Sequence, residues 1–309
     1  MESFASDGQV VVVGASGQVG RALISLLGAR GIGLSRPAAD LEHPEELLVI
    51  LEALLSHHKV QAVINAAAYT QVDKAEEERD AAMRINGEAP ALLARWCATR
   101  EIPFVHYSTD YVFPGTGSRP WAEDDDTSPL NVYGESKLAG EQGITAAGGQ
   151  YLVFRTSWVY DAFGKNFLKT MLRLGHERDK LSVVADQHGA PTYAPQLAQA
   201  TLQALSHAQT EGFNRGIYHL CNGGETTWHG FAQSIFDAAR SHGWDLKVQS
   251  VEAVPSAAYP TPAKRPLNSR LNNDKAQHAL GVKLPHWQDG LNACLNQLRA
   301  AEPDSDARA

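Results

Sequence analysis

Tyr133 and Lys137 stand four residues apart in the stretch NVYGESKLAGE, residues 131–141. On a helix that spacing puts two Cβ atoms about 5–6 Å apart on one face. A free phenol has a pKa of about 10 and keeps its proton at neutral pH. An ammonium beside it stabilises the phenolate and moves the group toward the range in which a general acid works best. Lowering a phenol by three units takes roughly 4 kcal/mol of differential interaction. Taken alone, a Tyr and a Lys at this spacing read equally as a snorkelling surface contact. The stretch HYSTDYVF, residues 106–113, supplies context, because it is an apolar strand ending in hydroxyls. Ser108 and Thr109 fall at its C-terminal edge, where open α/β sheets bind ligands. A hydroxyl there orients a carbonyl oxygen, Tyr133 protonates it and Lys137 tunes the phenol. Asp110 and Tyr111 follow directly and are candidates for the substrate side.

A second motif lies upstream in QVVVVGASGQVGRALISLLGARGIGLSR, from residue 9. A β-branched run leads into Gly14, Gly17 and Gly20, and an apolar pattern of helical period follows at Val19, Leu23, Leu26 and Leu27. GxxGxxG between a first strand and a first helix is the dinucleotide fingerprint. Glycine permits the sharp turn, and the helix amides behind it receive a pyrophosphate. The second strand, near 32–35, ends in GLSRP. Ser35 and Arg36 offer a hydroxyl and a guanidinium where a carboxylate would hold an adenosine ribose, so the expected cofactor is NADPH, with NADH as the alternative donor. Asp40 and Leu41, just downstream, are placed to meet the adenine; a local capping role is the other reading for Asp40.

These side chains need an alternating scaffold, and the chain has one. After the first strand and helix come a helix over HPEELLVILEALLSHH, with Pro44 in its first turn and Glu45 and Glu46 at its positive end. The strand QAVINAAA, an alanine-rich helix from about 80 to 100, the strand PFVHYS, the helix carrying Tyr133 and the strand YLVFRTSWVY continue the alternation. This rhythm predicts an α/β fold, a Rossmann-type doubly wound parallel sheet over residues 9–155. Beyond 155, GAPTYAP and VPSAAYPTPAKRPLNS carry prolines that exclude long regular elements, predicting a smaller, interleaved substrate-binding region over 156–300. Residues 1–8 and 301–309 read as flexible ends.

Composition narrows the partners. The chain has 309 residues, with 27 Lys and Arg against 35 Asp and Glu and a formal charge of −8, so it lacks the basic stripe that nucleic acid requires. An anionic metabolite remains open, through helix amides and single arginines. Cys97, Cys221 and Cys294 are widely spaced and form no CxxC, which reads as buried free thiols in a reducing compartment. No uninterrupted apolar stretch of about 18 residues and no leader pattern occurs, so no membrane partner and a cytoplasmic location are expected. Twelve histidines include no HxxxH or HxH, and no metal is expected.

The combination of GxxGxxG, STD and YxxxK resembles the extended short-chain dehydrogenase/reductase superfamily. Further stretches, GQVG, NAAAYTQVDKAE, YSTDYVFPG, SPLNVYGESKLAGE, FRTSWVY, DQHGAPT and YPTPAKRPLNSRL, resemble its dTDP-4-dehydrorhamnose reductase family over nearly the whole chain. The resemblance implies NADPH-dependent reduction of the 4-keto group of dTDP-4-dehydro-β-L-rhamnose, the last step in making dTDP-rhamnose for bacterial surface polysaccharide such as O antigen. It implies Thr109, Tyr133 and Lys137 as the catalytic set, with Lys137 also on the nicotinamide ribose. On the cofactor it places Gln18 and Val19 of the glycine turn, Ala66, Ala67 and Tyr69. Thr70, Val72, Tyr111 and Trp158 would approach the sugar, Gln187 and Thr192 the thymidine, and Arg265 with Asn268 the diphosphate. Some members dimerise around a magnesium ion held by carboxylates; here GAPTYAPQLAQA has Pro195 and no acid, and PHWQDG offers only Asp289. A monomer or homodimer without metal is therefore expected. A nucleotide-sugar dehydratase is disfavoured because Tyr111 stands where a further acid would be needed, and a non-catalytic regulatory subunit because the catalytic set is intact.

Overall fold

The computed structural model describes residues 8–301. Nearly all of the expected flexible ends, residues 1–7 and 302–309, lies outside the described residues. Strands β1 (Gln9–Val13), β2 (Gly31–Leu34), β3 (Val60–Asn65), β4 (Phe104–Thr109) and β5 (Tyr151–Thr156), with the returning strand Gly216–His219, form one parallel sheet. The order runs from Gly216–His219 through β5, β4, β3 and β1 to β2. The direction of winding reverses between β1 and β3, and crevices at such points bind ligands beyond the strand ends.

The reason for two helical layers is written in β1. Val10 to Val13 are all fully buried, because in a parallel sheet neither face meets water. Val10 and Val12 pack with Leu23 and Leu27 of helix α1 (Gln18–Leu27) on one face. Val11 and Val13 pack on the other with Leu47 and Leu51 of α2 (Pro44–His57). Each fully buried valine contributes about 1.5–3 kcal/mol. Pro44 opens α2 with Glu45 and Glu46 in its first turn, as expected.

Local details depart from the sequence-based reading in three places. The alanine-rich helix is α3 (Arg79–Met83) and α4 (Ala89–Ala98) joined by a π-helical turn, Arg84–Glu88. That bulge turns Asn86 fully inward. The strand YLVFRTSWVY breaks after Thr156, where Trp158 takes φ +48°, and resumes only at Val159–Tyr160. GAPTYAP does not exclude a long element. After α5 (Val132–Ala147) and α6 (Phe167–Glu177) comes the 17-residue α7 (Ala194–Thr210), with Pro195 in its first turn, where a missing N–H costs nothing.

Apart from the sheet, Leu168, Phe231, Trp287 and Leu295 centre a separate apolar core built from the later segments. Among the described residues, no helix is long and apolar enough to cross a membrane. Cys97, Cys221 and Cys294 are buried and free.

Candidate active site

The glycine turn sits at the reversal point of the sheet. Gly14 has φ +83°, a conformation that favours glycine. A Cβ there would lie 2.6 Å from the Ala67 nitrogen, so the turn closes directly on the end of β3. A Cβ at Gly20 would lie 2.1 Å from the Gly14 carbonyl, which is how closely α1 presses on the turn. Gly17 caps α1 without a side-chain bond. The first-turn amides of Gln18, Val19 and Gly20 therefore end in a cradle suited to an anion. Across from it, the Gln18 side chain accepts a bond from Asn166 Nδ2 at 2.9 Å, and Arg21 covers the Phe163 ring at 4.4 Å. These features fit a dinucleotide.

At the end of β2, Ser35 Oγ accepts from the Ser16 amide at 2.9 Å, while Arg36 is exposed. Asp40 Oδ1 accepts from the Glu42 amide at 3.1 Å, which matches the capping reading. The Leu41 side chain is buried in the core behind α2. Ala66 and Ala67 are half-buried at the strand end. Tyr69 is buried and points away, its hydroxyl donating to Glu78 at 2.7 Å; burial first, then Glu78, pushes that phenol up to about 12.

The second group gathers where β4 ends. Thr109 Oγ1 donates to Asp110 Oδ1 at 3.1 Å and accepts from the Tyr111 amide at 3.2 Å. Its hydroxyl also acts on Tyr133, whose ring meets Tyr111 edge-on with centroids 5.5 Å apart. Lys137 is buried, and Nζ donates to the Tyr107 carbonyl at 2.6 Å and contacts His106 Nε2 at 3.1 Å. Burial holds Lys137 down to about 8, against a raising pull from Glu141. Tyr133, by contrast, is pushed up to about 12 by burial and then by the Asp110 carboxylate, with Thr109 opposing. The expected lowering of Tyr133 by Lys137 is not met in this geometry, because Nζ is bonded into β4. Asp110 itself is raised to about 6 by burial, with Ser269 and Thr109 opposing.

Several substrate-side expectations change. Thr70 is exposed and Val72 half-buried on the loop after β3. Arg265 pairs with Asp73 of that loop at 2.7 Å, and its charge also acts on Tyr111. Trp158 stacks on Trp228 at 3.7 Å, while a Cβ at Gly189 would meet the Trp158 ring at 2.9 Å. Its indole is thus held on one face by Trp228 and backed by Gly189. The side chains of Gln187, Thr192 and Asn268 are buried and bonded within the protein. Gln187 bonds Ser256 at 2.9 Å and Trp228 at 3.1 Å. Thr192 is fully buried over the Ala190 carbonyl, and Asn268 donates to the carbonyls of Thr116 and Arg119. They shape the wall because a buried polar group must be satisfied locally.

Sequence reasoning passed over the groups that hold these residues in place. Asn131 caps α5 by accepting from the Gly134 amide at 2.8 Å and donates to the Lys264 carbonyl at 2.8 Å. Glu76 accepts from the Val132 amide at 2.9 Å. Asn86 accepts from the Tyr69 amide at 2.9 Å and donates to Ser136 at 3.0 Å. Only Asn131 had a readable signal, an Asn just before a helix start. Among the described residues, no three His, Cys, Asp or Glu side chains gather as metal ligands would.

Comparison with known proteins reaches nearly all of the described residues. A protein-family model described as RmlD substrate binding domain matches residues 8–300. A dTDP-4-dehydrorhamnose reductase of Burkholderia thailandensis is 46% identical over 300 residues, covering 94% of this chain and 99% of that protein. One of Escherichia coli K12 is 44% identical over 297 residues, covering 94% and 97%. The crystal structure of a dTDP-4-dehydrorhamnose reductase from Bacillus anthracis in complex with NADP superimposes with a TM-score of 0.86 at 32% identity, covering 94% of this chain and 99% of that one.

Proposed function

Since the chain belongs to the RmlD family of reductases, we propose that it reduces the 4-keto group of dTDP-4-dehydro-β-L-rhamnose to dTDP-β-L-rhamnose with NADPH. The observation that carries this reading is the gathering of Thr109, Tyr111 and Tyr133 at the end of β4, on the sheet edge that also carries the Gly14 turn. Gly14, Gly17, Gly20 and the amides of Gln18 and Val19 would hold the pyrophosphate, Ser35 and Arg36 the adenosine end, and Ala66 and Ala67 the passage to the reacting ring. NADPH, when bound, supplies the hydride that C4 of the sugar accepts. Tyr133 gives its proton to the C4 oxygen, and Thr109 holds the phenol in line. Lys137 holds the ribose and, together with the positive charge developing on the ring, offsets the burial that keeps Tyr133 protonated. Arg265 turns part of its guanidinium to the diphosphate while Asp73 fixes the rest.

The same reading divides the chain into a dinucleotide-binding part over 9–155 and a mainly substrate-binding part over 156–300. It makes the working unit a monomer or homodimer in the cytoplasm, where NADPH and nucleotide sugars are at hand, and gives the product to surface polysaccharide synthesis.

The test couples dTDP-4-dehydrorhamnose, made in situ from dTDP-glucose, to NADPH consumption, with the product identified by mass and NMR. Wild type should form dTDP-rhamnose, and Tyr133→Phe should lose at least about 100-fold in kcat, the range for a general acid, while still binding NADPH. A folded, NADPH-binding wild type that leaves the sugar unreduced would overturn the reading.

A further inference from the structure

The His106 imidazole is fully buried on β4, stacked on Phe104 with planes 11° apart, and touches polar groups at both ring nitrogens. Nε2 lies 3.1 Å from Lys137 Nζ, and Nδ1 lies 3.2 Å from Asn65 Nδ2. The Asn65 amide cannot turn round, because its Oδ1 already accepts from the Ala67 amide at 3.1 Å. When Lys137 is charged, donors therefore face both nitrogens. Burial keeps the ring neutral by holding His106 well below its ordinary range, and a neutral imidazole has one acceptor nitrogen. Two arrangements are open to the pair. With an ammonium, Nε2 accepts from Nζ and the Nδ1 proton faces the Asn65 amide donor, a mismatch that the Asn65 backbone, which favours the protonated ring, offsets. With a neutral amine, Nδ1 accepts from Asn65 Nδ2 and Nε2–H donates to the Nζ lone pair.

We infer that His106 is a positioning residue whose tautomer is tied to the charge on Lys137, so that imidazole and amine exchange one proton state as a unit. Between the two arrangements the pair loses a single proton: one hydrogen passes from Nζ to Nε2, and the Nδ1 hydrogen is released. The inference rests on the reading in which Lys137 serves Tyr133 and the cofactor. Around Nζ the other titrating or charged groups are Tyr133 and Glu141 of α5, the latter engaged by Arg155 of β5 at 2.6 Å. Glu141 favours the ammonium and burial opposes it more strongly, which brings the exchange to about pH 8. A proton store of that kind lies one helical turn along α5 from Tyr133, whose phenol must be reprotonated in each turnover.

Nitrogen NMR of the full chain carrying labelled histidine tests this, with the His106 resonances assigned by their loss in His106→Gln. His106 should be Nδ1-protonated at pH 6.5 and Nε2-protonated at pH 9.5, with a midpoint near 8. In Lys137→Met it should stay Nε2-protonated throughout. A single tautomer across that range in wild type overturns the inference. Turnover supplies the second readout: His106→Leu, which removes the Nε2 acceptor and leaves Nζ the Tyr107 carbonyl alone, should move the alkaline limb of the kcat profile down by about one pH unit, a tenfold change, and His106→Gln should restore it. Equal loss in both variants with an unmoved limb would mean mere packing. If wild type fails to reduce the sugar while the tautomer still switches, the reductase reading falls and the His106–Lys137 coupling stands.

Discussion

Asp110 shows most directly how burial governs the titrating side chains around Thr109. Its carboxyl is 2% exposed and raised from 3.8 to about 6, first by burial. The folded protein thus holds this proton more tightly than the unfolded chain does, and ionising it costs stability. The penalty is absent below the unfolded value, grows as pH rises from 3.8 to about 6, and stays above that at about 3 kcal/mol. Urea midpoints of wild type should therefore fall across this window by more than those of Asp110→Asn; parallel slopes would show that other groups set the trend. The same carboxylate accepts the Thr109 hydroxyl proton at 3.1 Å, so Asp110 competes with Tyr133 for that one hydrogen.

At the level of elements, the first turn of α5 determines where the phenol stands. Asn131 binds the turn through Gly134 and reaches across to the Lys264 carbonyl, so one amide ties the helix carrying Tyr133 to the loop carrying Arg265. Asn131→Ala should cost about 1 kcal/mol in denaturant unfolding, as loss of a cap does, and should lower kcat more than that stability change implies. Asn131→Asp keeps the acceptor for Gly134 and loses the donor to Lys264. It should preserve unfolding stability but raise KM for the nucleotide sugar. Equal KM values in Asp and wild-type proteins would remove the link to the loop.

Across the molecule, the buried Arg155–Glu141 pair joins β5 to α5 beneath the site. Nε and Nη2 donate to the two carboxylate oxygens at 2.9 and 2.6 Å, and the guanidinium lies over the Phe113 ring. Removing one partner leaves a buried charge alone, so Glu141→Ala should lose about 3–5 kcal/mol, whereas Glu141→Met with Arg155→Met should regain most of it. Calorimetry of the single and double variants decides this, and a double variant no more stable than the single would contradict it. Because Glu141 supports the Lys137 ammonium, the double variant should also show its alkaline limb of activity at lower pH.

Short-range pattern determined a good deal. The valine run of β1, the glycine spacing behind it and the i, i+4 placement of Tyr133 and Lys137 each depend on neighbours within a few residues, and all were legible in order along the chain. Pro195 was misread because the same residue breaks a helix interior and opens a first turn, and only the helix boundary tells the two apart. Which side chains are free for a ligand was not legible. Gln187 and Asn268, which the family resemblance points to as ligand groups, are buried and bonded to partners far along the chain, and Thr192 is buried over its near neighbour Ala190. His106, Asn65 and Asn86 carry no local signature, although they hold Lys137, the end of β3 and the loop after it. Hydrogen-bond satisfaction and desolvation are properties of a closed packing, set by residues 30 to 150 positions apart, and only the folded chain brings those together.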